Sequence, residues 1–387
     1  MKVNGYWLFI VRSVFFCAAL GILLLLSPIS LVAGEVDRLK ISTWAGAYQK
    51  AQDRALFKPF AAKSGLKVKV SSHNGVLGKL KSWYLAESAP QDVVNMSSFA
   101  AEIACDSGYL VSLNSDNIAK GANNEPIEKD FLANSLLDCA VPNAAWSGLL
   151  AVKTASFKKA KPRGWRDFFN VKKFPGKRSL RKTARFNLEM ALLADGVELE
   201  DVYETLSEEE GLRQAFKKLN SLKDFIVWWE SGAQSIDMLR RDDVVMGFAF
   251  NGRLFNAIVA DGMELTLIWQ GQIYDVDYWA IPKHSKARRE ALDFVQFATA
   301  PEQMAAPSKW FAYGPMRQSS LQFIGMHKIV NLHMGPYLPT TKAHFRYALK
   351  FNEGWWKSSL GKRAEKWFEQ WESGKLDLTA PEPQTIE

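Results

Sequence analysis

The sequence predicts an α/β protein made of two sheet-and-helix units. Three observations lead there. Short apolar or alternating runs interleave with helical periodicities along most of the chain. The length, 387 residues, suits two or three folding units, and the composition, 48% hydrophobic and 23% charged, is that of a globular protein.

The first unit opens at Leu39-Lys40-Ile41-Ser42-Thr43, which alternates as a strand does. Ala51, Ala55, Leu56, Phe60 and Ala61 then recur at helical spacing, and Gly65 closes that helix. Residues 66–70 read as a strand, 76–87 as a helix, 91–95 as a strand, and 99–107 as a helix with Gly108 after it. Such alternation signals a parallel sheet covered by helices. In the second unit, residues 144–152 are apolar and extended, and 163–176 form a Pro/Gly-punctuated connection holding Trp165, Phe168 and Phe169. Ser207 followed by three glutamates reads as a capping box starting a helix over 211–219. Strands are expected at 225–229, 244–250, 264–269 and 278–282, and helices at 235–241, 251–262, 287–300 and 362–371.

The N-terminus reads as a processing signal. Lys2 and Arg12 precede an apolar run over 14–26, and a small-residue stretch ends at Ala33-Gly34. As a helix that run spans about 20 Å, short of the roughly 30 Å hydrocarbon core, so residues 1–34 are expected to be a signal peptide. An uncleaved anchor is the competing reading. Export to an oxidising compartment lets Cys105 and Cys139 pair; two buried free thiols are the alternative. Closing that loop stabilises by roughly 4 kcal/mol on the chain-entropy account.

Several function classes drop out. Three cysteines exclude a Cys-rich zinc or iron–sulfur module. The net charge of +8 is spread along the chain, so no nucleic-acid partner is expected. Residues 75–79 lack the spacing and the Ser/Thr of a phosphate loop, and neither a G-x-S-x-G elbow nor an H-E-x-x-H pair occurs. The five histidines are scattered, so no metal and no cofactor is expected. Asp275 and Asp277 are the one acid pair that could serve a secreted glycosidase-like enzyme, which stands as the competing class. The expectation is a protein that is not an enzyme.

Two α/β units leave a crevice between them, and open α/β sheets bind ligands beyond the carboxyl ends of their strands. The segments just after strands are 44–48, 95–99, 230–234, 251–253 and 270–278. They carry Trp44, Tyr48, Phe99, Glu230, Arg253, Asp275 and Asp277, with Phe250 immediately before the fourth. Aromatics, several acids and one cation are the profile of a small-molecule cleft.

The leader, Thr43-Trp44-Ala45-Gly46-Ala47-Tyr48, residues 168–176 (FFNVKKFPG), 228–234 (WWESGAQ), 250–253 (FNGR) and 271–279 (GQIYDVDYW) together resemble the polyamine-type (spermidine/putrescine) solute-binding proteins of bacterial ABC importers. The resemblance runs from about Leu39 to Trp371. It implies a two-lobed periplasmic-binding-protein fold, each lobe a mainly parallel sheet with flanking helices and the ligand cleft between lobes. Lobe 1 would comprise residues 35–146 plus 278–325, and lobe 2 residues 147–277 plus 326–387. Hinge closure would trap the ligand in the periplasm and present it to a membrane permease, with the binding protein a monomer. Within that pattern Asp277 falls where a carboxylate meets a ligand ammonium, Trp44 where a ring covers the aliphatic chain, and Tyr313 on another wall. Phe99 and Phe250 stand where several polyamine binders have Trp or Tyr. Arg253 stands where a putrescine site has a second acid, which suits a zwitterionic ω-amino acid. It could instead pair with Asp275 or Glu189, with Glu189 or Glu230 as further ammonium partners. The ligand class is a small amine, polyamine or ω-amino acid.

Overall fold

Strand β1 (Arg38–Trp44) alternates because one face is core: Leu39 and Ile41 are buried, while Arg38 and Lys40 face water. Gly65, in the left-handed region at φ 77°, closes the helical run that begins with Ala47–Gln52, passes a π-helical turn and ends with Lys58–Ser64. The next strand, β2 (Lys67–His73), pairs parallel with β1 along its length and forms the sheet edge, where Lys67 and Lys69 discourage further pairing. The structure, a computed structural model, describes residues 36–132 and 135–379. The signal peptide expected at 1–34, with Cys17, lies outside them.

The remaining strands are β3 (Val93–Ser97), β4 (Ala140–Lys153), β5 (Arg178–Arg181), β6 (Ile226–Trp229), β7 (Met246–Phe250), β8 (Leu265–Ala280), β9 (Gly314–Pro315) and β10 (Ala348–Lys350). They join in the order β2-β1-β3-β8-β4-β7-β5-β6, with β9 on β4 and β10 on β8. The outer pairs β1–β2, β1–β3, β5–β6 and β5–β7 are parallel and helix-covered, as the alternation predicts. The central pairs β3–β8, β4–β8 and β4–β7 are antiparallel. β4 and β8, 14 and 16 residues long, run through both halves of the sheet. One half packs Phe57 edge to face on Trp279 and Phe60 edge to face on Phe294; the other centres on Trp229, stacked on Phe248 at 6.0 Å, and on Phe186.

Three local expectations are corrected. The strands expected at 264–269 and 278–282 are one strand, β8. The polar Gln270-Gly271-Gln272 looks like a loop, yet it is a bulge: pairing with β4 jumps between Ile268 and Ile273, and Gly271 takes φ 73° to make the detour. Gln272 is fully buried there, its Nε2 donating to the carbonyls of Pro339 and His344. Ser207 caps no helix start. It ends the helix Val202–Ser207, its hydroxyl donating to the Tyr203 carbonyl and accepting from Trp355 Nε1, and the next helix, Glu209–Asn220, begins after Glu208. The connection at 163–176 contains a short helix, Trp165–Phe169, because its three aromatics all enter the core.

Cys105, near the end of helix Ser98–Asp106, is disulfide-bonded to Cys139 beside the start of β4, with Cα atoms 5.7 Å apart. A buried ion pair adds a second tie. Arg317 Nε donates to Asp130 Oδ2 at 2.6 Å, and the backbone N–H and hydroxyl of Ser319 complete the carboxylate.

Candidate ligand-binding cleft

The strand ends converge on one cavity of about 660 Å³. Trp44, the last residue of β1, and Tyr48, in the first turn of the helix after it, flank Gly46, whose φ of 92° makes the turn between them. Tyr48 packs on Tyr313 at 4.7 Å between ring centroids and donates a hydrogen bond to Asn143 Oδ1. Phe311 lies against Tyr313 at 4.7 Å, which makes one aromatic wall. A second wall holds Trp146, Phe186, Phe250 and Phe351, with Phe186 stacked on Phe351 at 4.6 Å.

Asp275 and Asp277 are two apart in β8 and so point to the same face, into the cavity. Both are almost fully buried. Asp275 Oδ1 accepts from Ser98 Oγ at 2.6 Å and from its neighbour's backbone N–H at 2.8 Å; Asp277 Oδ1 accepts from Trp44 Nε1 at 3.1 Å. Burial outweighs these bonds and pushes the Asp275 carboxyl up to about 7. Asp277 is raised well above the usual range, by burial first and by the charge of Asp275 second. Burial, followed by the charge of Asp277, also keeps the Tyr48 and Tyr313 hydroxyls protonated.

The cations come from the other half. Arg253 sits in the first turn of the helix Asn251–Val259 that follows β7, and its side chain lies along Gly232, where a Cβ would come within 2.4 Å of Nε. Asn251 fixes this corner: its Oδ1 accepts from the Ser147 N–H, and its amide donates to the Ala312 carbonyl. Arg181, the last residue of β5, and Arg185 also line the cavity. β7 lies two strands from β8 and β5 three, so at about 4.8 Å per strand these strand ends start roughly 10–14 Å from the aspartates' strand. No arginine pairs with either aspartate among the described residues.

Of the residues expected from sequence, Trp44, Tyr48, Phe250, Arg253, Asp275, Asp277 and Tyr313 line this cavity. Phe99 does not: its ring lies under the Lys357 ammonium, 4.1 Å away. Glu230 does not either; it is exposed just after β6. Glu189 is buried elsewhere, accepting from Tyr203 Oη and Trp356 Nε1, so it is no partner for Arg253. Sequence reasoning missed Arg181, Arg185, Trp146, Phe186, Phe311, Phe351 and Glu353. The position of Arg185 and Phe186 just beyond β5 was the available signal. Glu353 Oε1 is paired with Lys357 at 2.9 Å, and its Oε2 lies 3.5 Å from Ser97 Oγ.

A cavity walled by aromatic rings, with buried acids on one side and guanidinium groups on the other, suits a small polar solute. Residues 55–332 match the bacterial extracellular solute-binding protein family. The chain belongs to that family. It is 35% identical over 337 residues to the gamma-aminobutyric acid-binding protein of Pseudomonas aeruginosa, covering 87% of this chain and 91% of that one. Among solved structures, an ABC transporter substrate-binding protein from Bradyrhizobium japonicum superimposes with a TM-score of 0.71 at 28% identity, covering 86% of this chain and 98% of that one. A GABA receptor gives 0.69 at 26% identity, covering 87% and 97%. The solved relatives are two-lobed periplasmic binding proteins, so this chain is a mixed α/β solute-binding protein of that type.

Proposed function

We propose that the protein is the periplasmic receptor of an ABC importer, working without catalysis after removal of residues 1–34, and that its ligand is a zwitterionic ω-amino acid. The observation that carries this is the polarity of the cavity, with two buried aspartates on β8 and guanidinium groups at the ends of β5 and β7. An ammonium on Asp277 and Asp275 restores the charge that burial suppresses, and a carboxylate on Arg253 forms a charge-assisted pair. The aromatic walls cover the carbon chain between. A diamine would bring its second ammonium against Arg253, a like charge that repels it and leaves that ammonium without an anion. The similarity to a GABA-binding protein supports the amino-acid reading over the polyamine one. The halves would close about the points where β4 and β8 cross, near Ala144–Asp277 and Gly148–Ile273.

Calorimetric titration of the leaderless protein tests this. 4-Aminobutyrate should bind more tightly than putrescine. Asp277→Asn and Arg253→Met should each weaken 4-aminobutyrate by about 1.5–3 kcal/mol, roughly ten- to over a hundredfold in Kd. Tighter putrescine binding, improved further by Arg253→Met, would return the ligand to the polyamine class. Intact mass of protein recovered from the periplasm should lack residues before about Glu35.

A further inference from the structure

We infer that the basic side of the cavity is built for a doubly charged acid group, so that the ligand is an amine bearing two carboxylates, or one phosphonate-like dianion, opposite its ammonium. This deepens the zwitterion reading and rests on it. The observation is an excess of guanidinium charge. One carboxylate answers Arg253. Arg185 is answered within the protein by Glu365, whose Oε1 lies 3.4 Å from its Nε. That glutamate is committed further: Oε1 accepts from Thr183 Oγ1 at 2.7 Å and Oε2 from the Ala184 N–H at 3.0 Å. Arg181 lines the same cavity, and among the described residues its guanidinium has no hydrogen bond and no ion pair; it rests over the Trp229 ring, 5.9 Å from the centroid. Burial, and then the neighbouring charge of Arg185, work against its proton, and the charge of Glu365, already bonded to Arg185, only partly offsets them.

A half-buried cation beside another cation is expensive unless an anion meets it. Arg181, Arg185, Glu365 and Arg253 together leave two positive charges, and a single carboxylate matches one of them. Both Arg181 and Arg253 line the cavity, so a doubly charged head group can draw on each. Arg181 ends β5, Arg253 follows β7 within a turn, and β5 and β7 are hydrogen-bonded neighbours, their strands about 4.8 Å apart. Each planar fork can take two acid oxygens. The cavity, at about 660 Å³, has room for such a head.

Three probes with one three-carbon chain separate charge from shape: 4-aminobutyrate, 3-aminopropanesulfonate and 3-aminopropylphosphonate. They are titrated at mildly alkaline pH, where the phosphonate carries two charges and the sulfonate, equally tetrahedral, carries one. The phosphonate should bind at least about tenfold more tightly than the sulfonate, the size of a charged hydrogen bond. Arg181→Gln should shrink that ratio to less than about twofold, and Arg181→Lys, which keeps the charge without the fork, should retain part of it. Equal wild-type binding of sulfonate and phosphonate, which needs no mutant to fold, would overturn the proposal. So would an Arg181→Gln protein that weakens both by the same factor. Binding of 4-aminobutyrate without a phosphonate preference sinks this inference alone, whereas binding of putrescine and none of the three probes sinks the zwitterion reading with it.

Discussion

Asp275 and Asp277 show how a buried acid pair is useful because it is uncomfortable. With Asp275 near 7 and Asp277 also raised, the ligand-free pair holds protons at neutral pH that free aspartates would have lost. An arriving ammonium stabilises the carboxylates and expels a proton. Titration of 4-aminobutyrate near pH 6.5, in buffers of different ionisation heat, should therefore reveal proton release, and Asp275→Asn should reduce it. The same displacement sets a pH dependence of stability. A carboxyl whose folded pKa lies above its unfolded value of about 3.9 helps the fold while protonated, and that help fades as pH rises towards 7. The ligand-free protein should thus lose thermal stability between about pH 5 and 7.5. Part of that slope belongs to Glu189, also raised to about 7 by burial, while His73 and His344, lowered by burial, act in the opposite sense below about 6.5. The informative measurement is the difference from Asp275→Asn, whose melting temperature should vary less with pH. An identical slope would contradict the assignment.

At the scale of elements, β4 and β7 meet where no side chain fits. A Cβ on Gly148 would stand 2.4 Å from the ring of Phe248, which is buried and stacked on Trp229, so it has nowhere to retreat. Gly148→Ala should cost about 1–3 kcal/mol in urea unfolding, the range for an overpacked core. Elements of this kind explain what the sequence could and could not reveal. The strand-end rule located Trp44, Tyr48, Arg253 and the two aspartates, because turn residues after alternating runs are readable locally. Phe351 and Glu353 escaped it: they enter the cavity only because β10 pairs with β8 at Gln272–Tyr274, nearly eighty residues earlier in the chain. β8 itself was split in two because Gly271 and its polar neighbours look like a loop to any local reading. Phe99 was misplaced because its position after β3 was right, while its ring serves Lys357 instead of the cavity. Arg181 was passed over because a charged residue at a strand end usually faces water, and only the tertiary fold turns it into the cleft.

Across the whole molecule, two ties secure the half that holds β1 to β3. The Cys105–Cys139 bridge spans 34 residues, so its reduction should remove roughly 4 kcal/mol and lower the melting temperature, while denatured, oxidised mature protein should label no thiols. Asp130→Asn should be as damaging, about 3–5 kcal/mol, since it strands the fully buried Arg317 without its anion. Arg317→Met in the same background should recover much of the loss. The antiparallel seam between β3 and β8 has a consequence in time as well as in space. Ser97 finds its partner at Asp277, and Val94 at Ala280, so the first half cannot finish its sheet until the chain has been made well past its middle. Contacts this distant close slowly. On a nascent chain that seam therefore stays open until β8 has been made, which leaves the far edge of β3 without its partner through most of synthesis.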